Sequence, residues 1–182
     1  MIWHTMPLAG VFRLELERRE DDRGFFARSW CDDEAAAHGI AVRWQQCNIS
    51  FNRQRGTVRG LHYSVAPRAE AKLVRCTRGR IFDVVVDIRR DSPTFGTFCG
   101  AELSADNQLA LYVPRGCAHG FQTLEANSEV FYQMGDCYDP AVQRGLKWDD
   151  PAIGIDWPLP ATNVSDRDSV HPLLTELPEE PL

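Results

Sequence analysis

An all-β fold, a sandwich or jelly-roll barrel with a few short helices, is what this sequence of 182 residues predicts. Three observations lead there: short runs rich in β-branched residues, turn residues at close intervals between them, and a single segment with clear helix signals. That segment is Asp32–His38. It opens on Asp32, Asp33 and Glu34, runs through alanines and stops at Gly39, which matches acidic first turns and a glycine just past the last turn. It is too short to build a helical core. Lys72–Thr77 and Ile81–Ile88 read as two strands, with Arg78-Gly79-Arg80 turning between them as a hairpin. In the second strand Phe82, Val84, Val86 and Ile88 share one face, and Asp83 and Asp87 share the other. Asp91-Ser92-Pro93 and Pro114-Arg115-Gly116 read as turns, and Leu109–Val113 and Val130–Met134 as further strands. From Pro158 the chain is rich in proline and acidic residues, so it is expected to wrap the surface and to loosen after about residue 174.

The length corresponds to one domain, residues 1–182, able to bury roughly two-thirds of its unfolded surface. No repeat or linker divides it. There are 20 Lys and Arg against 26 Asp and Glu, a formal charge of −6. Nucleic-acid binding needs a basic face, so no nucleic-acid partner is expected, although a locally basic pocket for a small anion is compatible. No apolar run approaches the 18 residues of a membrane span, and Met1–Arg13 lacks the charged and apolar blocks of a secretory signal. Cys31, Cys47, Cys76, Cys99, Cys117 and Cys137 are scattered without a C-x-x-C pair. Reduced thiols in a cytoplasmic protein are the expectation.

Candidate chemistry starts at Arg59-Gly60-Leu61-His62-Tyr63, where a histidine sits beside a glycine and an arginine. Taken alone, His62 reads as structural. Lys72 is one of only two lysines in the chain. It opens an otherwise apolar strand, either as an edge residue or as an inward-facing cation. Tyr132 shares strand parity with Val130 and Met134 and reads as a core tyrosine. Asp168 reads as a turn residue. Iron or manganese sites on barrels of this kind commonly use histidines at i and i+2, but Ser64 follows His62 at that spacing and His119 has no such neighbour. No metal and no cofactor are expected. There is no G-x-S-x-G elbow, G-x-G-x-x-G loop or P-loop.

Together, and in order, these segments resemble dTDP-4-dehydrorhamnose 3,5-epimerases. The similarity is carried by Asp22-Arg23-Gly24-Phe25-Phe26, Gln46-x-Asn48-x-Ser50, Arg59-Gly60-Leu61-His62-Tyr63 and Lys72-Leu73-Val74. It continues through Asp83–Arg89, Asp91–Gly96, Val113-Pro114-x-Gly116-x-Ala118-His119-Gly120-Phe121, Tyr138-x-Pro140, Trp148-x-Asp150-Pro151 and Ile155–Pro158. The resemblance implies a cupin-type jelly roll, a homodimer, a nucleotide-diphosphate sugar as substrate and a metal-free site inside the barrel. It implies His62 as the base, Asp168 as its carboxylate partner, Lys72 as the cation beside the enolate oxygen, and Tyr132 as the proton donor on the opposite face. Arg59 and Arg23 would grip the diphosphate, Tyr138 would stack on the base, and Asn48 and His119 would line the sugar pocket.

Three positions depart from the family pattern on its substrate-binding side. Arg28 and Gln143 stand where glutamates are common, and Arg167 where a lysine is. These changes are compatible with a dTDP-linked sugar epimerised at C3 and C5, with inversion at only one of those carbons, or with a CDP-linked 4-keto-deoxyhexose. A metal-dependent cupin oxygenase and a non-catalytic sugar-nucleotide-binding cupin compete from other classes. Stoichiometric iron or manganese would mark the first, and binding without proton exchange the second.

Overall fold

The computed structural model describes residues 1–178 and 182. Among them, eleven strands form two facing antiparallel sheets. The first runs in the order β1 (Ile2–Thr5), β2 (Phe12–Glu15), β10 (Ala110–Val113), β7 (Lys72–Arg78), β12 (Ser128–Met134), β5 (Gln46–Asn52). The second runs β13 (Gln143–Gly145), β6 (Val58–Ser64), β11 (Cys117–Thr123), β8 (Arg80–Asp87), β9 (Phe98–Ser104). Two further strands, β3 (Arg19–Asp21) and β4 (Gly24–Phe26), pair only with each other and form an arm whose residues are all exposed. Helix α1 (Asp32–Ala37) ends at Gly39, whose φ of +75° suits glycine. Helix α2 spans Asp166–Ser169, and Leu174–Glu176 forms a 3₁₀ turn.

The expected hairpin at Gly79 is not one. Strand β7 pairs with β10 and β12, whereas β8 pairs with β11 and β9, so the single residue between them carries the chain from one sheet to the other. Gly79 has φ +72°, and a Cβ there would fall 2.6 Å from Ser128 Oγ. That hydroxyl accepts from the Arg80 N–H and directs its one proton to the carbonyls of Glu125, at 2.8 Å, and Arg80, at 3.1 Å, which it can only share between them, and this closes the corner.

The core has three parts. Val74, Cys76, Ile81, Val85, Leu111, Phe121 and Val130 pack between the sheets. Leu14, Ala35, Leu73, Ala110 and Tyr112 pack under α1 with Trp3, Trp30 and Trp44. The third part covers the outer face of the five-stranded sheet, where Val84, Val86 and Ile88 meet Leu146, Ile153 and Leu174. The apolar face of β8 is therefore covered by the C-terminal third of the chain, and its aspartate face is buried as well. The stretch after Pro158 wraps the barrel: Gln122 exchanges two hydrogen bonds with the Leu159 backbone, and Asn163 bridges Thr57. From Leu174 to Pro178, where loosening is expected, Leu174 is buried, Leu177 packs beside it and its carbonyl accepts from Arg90. The rest of that expectation, residues 179–181, lies outside the described residues. All six cysteines are free.

Candidate active site

Antiparallel register brings nine of the twelve sequence-predicted residues into one cavity of about 280 Å³ between the sheets. His62 on β6 stands directly across from His119 on β11. On the facing sheet Tyr132 pairs with Asn48, and Lys72 pairs with Met134. Arg59, Tyr138, Gln143 and Arg167 complete the lining among the predicted residues. Asp168 stands behind His62, out of the cavity wall.

Each polar group has a partner that orients it. Asp168 Oδ1 lies 2.8 Å from His62 Nε2, and Oδ2 accepts the Gly60 N–H at 3.2 Å. The Ser165 hydroxyl caps α2 by accepting the Asp168 N–H, so the carboxylate stands on a fixed turn. Burial pushes the Asp168 carboxyl up, but the hydrogen bond and charge of His62, the Gly60 N–H and His171 outweigh it and hold it below its ordinary value. An ionised Asp168 takes the Nε2 proton of His62 as its hydrogen-bond donor, which leaves Nδ1 as the nitrogen free to accept a proton.

Lys72 is 5% exposed. Its ammonium donates to the His62 carbonyl at 3.1 Å and lies 3.5 Å from Glu70 Oε1. Burial lowers its pKa, against the charges of Glu70 and Asp83. Burial also raises the Tyr132 phenol far above its ordinary value, so it is protonated and able to donate. His119 Nε2 lies 2.8 Å from Asp83 Oδ1, a second histidine–aspartate pair, and its ring meets that of Tyr132 edge-on. The Arg59 Nε donates to Asn52 at 2.6 Å, which holds its guanidinium at the rim.

Two predicted residues are not brought in. Arg23 sits at the tip of the β3–β4 arm, highly exposed and paired with Asp21. Arg28 pairs with Glu34 at 2.8 Å in a separate cleft beside Arg18, Phe26 and Trp30. The arm pairs with no strand of either sheet, so within one chain neither guanidinium lines the cavity.

Three residues beyond the sequence reading belong to this region. Glu70 shares strand parity with Lys72, a local signal. Asp83 lies on the same face of β8 as Ile81 and Val85, which faces the barrel interior. His171 carries no sequence signal. Its Nε2 lies 3.5 Å from Asp168 Oδ1, and its ring meets that of His62 edge-on at 5.9 Å. Among the described residues, His62, Asp168 and His171 are the one group with the donor types and spacing of a metal-ion site.

Cation, phenol, imidazole and carboxylate around one cavity suit proton transfer at carbon beside a carbonyl, with anion recognition at the rim. The family model for dTDP-4-dehydrorhamnose 3,5-epimerase matches residues 5–176. The chain is 45% identical to the dTDP-4-dehydrorhamnose 3,5-epimerase of Sinorhizobium fredii over 98% of its own length and 92% of that protein's. The crystal structure of the dTDP-4-dehydrorhamnose 3,5-epimerase from Elizabethkingia anophelis superposes with a TM-score of 0.93 at 36% identity, covering 96% of this chain and 97% of that one. A 3,5-epimerase from Legionella pneumophila in complex with dTDP-4-keto-L-rhamnose superposes with a TM-score of 0.90 at 35% identity, covering 97% and 94%. The fold is a cupin-type jelly roll.

Proposed function

Because this chain belongs to the dTDP-4-dehydrorhamnose 3,5-epimerase family, we propose that it epimerises a dTDP-4-keto-6-deoxyhexose at C3 and C5. The observation that carries the mechanism is the Asp168–His62 pair opening on the same cavity as Lys72 and Tyr132.

The C4 ketone acidifies the C–H bonds at C3 and C5. His62 Nδ1 removes one of these protons, and the C–H electron pair moves into an enolate whose charge comes to rest on the C4 oxygen. Asp168 stabilises the imidazolium formed in that step. Lys72 lies where its ammonium meets the developing oxyanion, in a cavity drier than bulk water, a term worth several kcal/mol. Tyr132 returns a proton to the carbon from the opposite face, which inverts the centre; its phenolate then regains a proton from solvent and the His62 imidazolium gives its proton up to solvent, so base and acid are both reset. The ketone is regenerated, so the cycle balances without an oxidant or reductant.

Arg59 and Arg167 suit the diphosphate, Tyr138 the base, and Asn48, His119 and Gln143 the sugar. The self-paired arm, with Phe26 74% exposed, supports a homodimer in which Arg23 and Arg28 act outside their own chain's cavity. We place the enzyme in the cytoplasm, where nucleotide sugars are made.

Proton NMR of dTDP-4-keto-6-deoxyglucose with the pure protein in D₂O tests this reading. Deuterium entering at both C3 and C5 is the expected result. Exchange at one carbon reduces the activity to a single inversion. No exchange from a folded sample sinks the dTDP assignment, and the CDP-linked sugar would then be tried.

A further inference from the structure

We propose that His62, Asp168 and His171 form an inhibitory binding site for a borderline divalent transition-metal ion, Zn²⁺ foremost. The three residues come from two separate parts of the chain, the middle of β6 for His62 and, for Asp168 and His171, helix α2 and the residues just after it. One donor atom from each lies within 4.8 Å of the others. Zinc bonds nitrogen and oxygen at about 2.1 Å, so two ligands of a tetrahedral ion stand about 3.4 Å apart. The 3.5 Å between His171 Nε2 and Asp168 Oδ1 meets that spacing as it stands. The 2.8 Å between His62 Nε2 and Asp168 Oδ1 has to open by about 0.6 Å to admit an ion at that bond length.

His171 separates this trio from an ordinary catalytic pair. Its Nε2 is buried without a well-formed hydrogen bond, since the Asp168 carboxylate stands 3.5 Å away, a cost that a bound ion would remove. The ring fits because residue 145 is glycine: a Cβ there would fall 2.2 Å from His171 Nε2. Supporting contacts already fix the ligands. The Gly60 N–H holds the second oxygen of Asp168, Ser165 caps the α2 turn, and the Lys147 N–H holds the Pro172 carbonyl at 2.9 Å. Two imidazoles and one carboxylate suit Zn²⁺ or Co²⁺ rather than Mg²⁺ or Ca²⁺, which take oxygen ligands. Three protein ligands leave one position open to water.

The inhibitory part rests on the reading of His62 as the base. An ion on Nε2 leaves the neutral ring's only proton on Nδ1, the nitrogen that has to accept one from the sugar. Arg59 and Tyr138 are untouched, so kcat falls while KM stays.

The test titrates Zn²⁺ alone into the chelator-stripped full-length chain by calorimetry, for wild type, His171→Asn and His171→Phe. The phenylalanine variant keeps a ring against Gly145 without a donor. Circular dichroism checks that each is folded, and the visible absorption of added Co²⁺ reports four-coordinate geometry. Wild type is expected to bind one equivalent and to lose deuterium exchange with it. Both variants are expected to bind at least about tenfold more weakly and to hold their own metal-free rates under the same Zn²⁺. Equal affinity in all three chains overturns the site, and so does six-coordinate Co²⁺ absorption in wild type. Bound Zn²⁺ that leaves wild-type exchange unchanged overturns the inhibition. A stripped wild type that fails to exchange deuterium overturns the epimerase reading instead, and the calorimetry still decides the site.

Discussion

Asp168 Oδ1 lies 2.8 Å from His62 Nε2 although the two residues are 106 positions apart in the sequence. The contact joins the middle of a barrel strand to a helical turn near the end of the chain. The same carboxylate takes the Gly60 N–H two residues before His62, so it holds the imidazole and the strand that carries it together. A ring gripped in this way has one nitrogen committed to the protein and one available for chemistry.

Asp168→Asn keeps the shape of that contact and removes its charge. The amide no longer stabilises an imidazolium or fixes the tautomer with a proton on Nε2. We expect kcat to fall by about 10²–10⁴-fold with KM nearly unchanged, read by steady-state kinetics. A drop confined to KM would mean that Asp168 serves binding rather than the base.

Tyr132→Phe removes the proposed second-face donor and leaves His62 in place. Proton removal and its return from the same face then continue, so C–H exchange outlasts inversion. In D₂O we expect net epimerisation to fall at least about 10²-fold and exchange by less than about tenfold. Equal losses of both would assign the donor role elsewhere.

Lys72 and Glu70 form a buried pair at 3.5 Å, in which the Glu70 carboxylate favours the charged ammonium against its burial. Lys72→Met leaves the Glu70 carboxylate buried without its cation, at a cost of about 3 kcal/mol. The double variant Lys72→Met, Glu70→Leu is expected to recover most of the lost melting temperature and none of the activity, which falls about 10²–10³-fold in both. Recovery of turnover in the double variant would remove Lys72 from the reaction.

The limits of the sequence reading follow the range of each signal. Helix α1 is legible because acidic residues at its start and Gly39 at its end act within a turn of the residues they affect. Gly79 misleads because one glycine between two β-runs gives the same signal for a reversal within a sheet and for a step across to the facing sheet. Which occurs depends on β12, where Ser128 closes the corner from about fifty residues away. Asp83 shares its strand face with Ile81 and Val85, and that mixed face turns to the barrel interior while the apolar face of β8 is covered from outside. His62, Lys72 and Tyr132 are singled out only by the combined motif, since each alone is an ordinary strand residue. The motif names Arg23 and marks Arg28 as a departure from it, yet neither lines this chain's cavity, and His171 becomes visible only once the chain is folded.

Phe26→Asp tests the arm. Phe26 is 74% exposed and Phe25 43% on a hairpin that pairs with no sheet of its own chain. A charge at that position is expected to halve the mass seen by light scattering and to raise KM, with the melting temperature of the barrel little changed. A variant that keeps the wild-type mass would free the arm from the dimer interface.

Asp87 bears on acid stability. It is fully buried and ends β8, where it accepts from Arg89, Ser92 and Thr94 and ties down the turn that follows. Burial alone would raise its pKa, but these hydrogen bonds hold the carboxyl at about 2, against an ordinary value of 3.8. A folded-state pKa below the unfolded one stabilises the native state above pH 4, and the contribution drains away as pH falls toward 2. The shift corresponds to about 2 kcal/mol at neutral pH. Asp87→Asn should therefore lose about that much in urea denaturation at pH 7, and the gap to wild type should close between pH 4 and pH 2. A gap that persists unchanged at pH 2 would trace the loss to packing rather than to the charge.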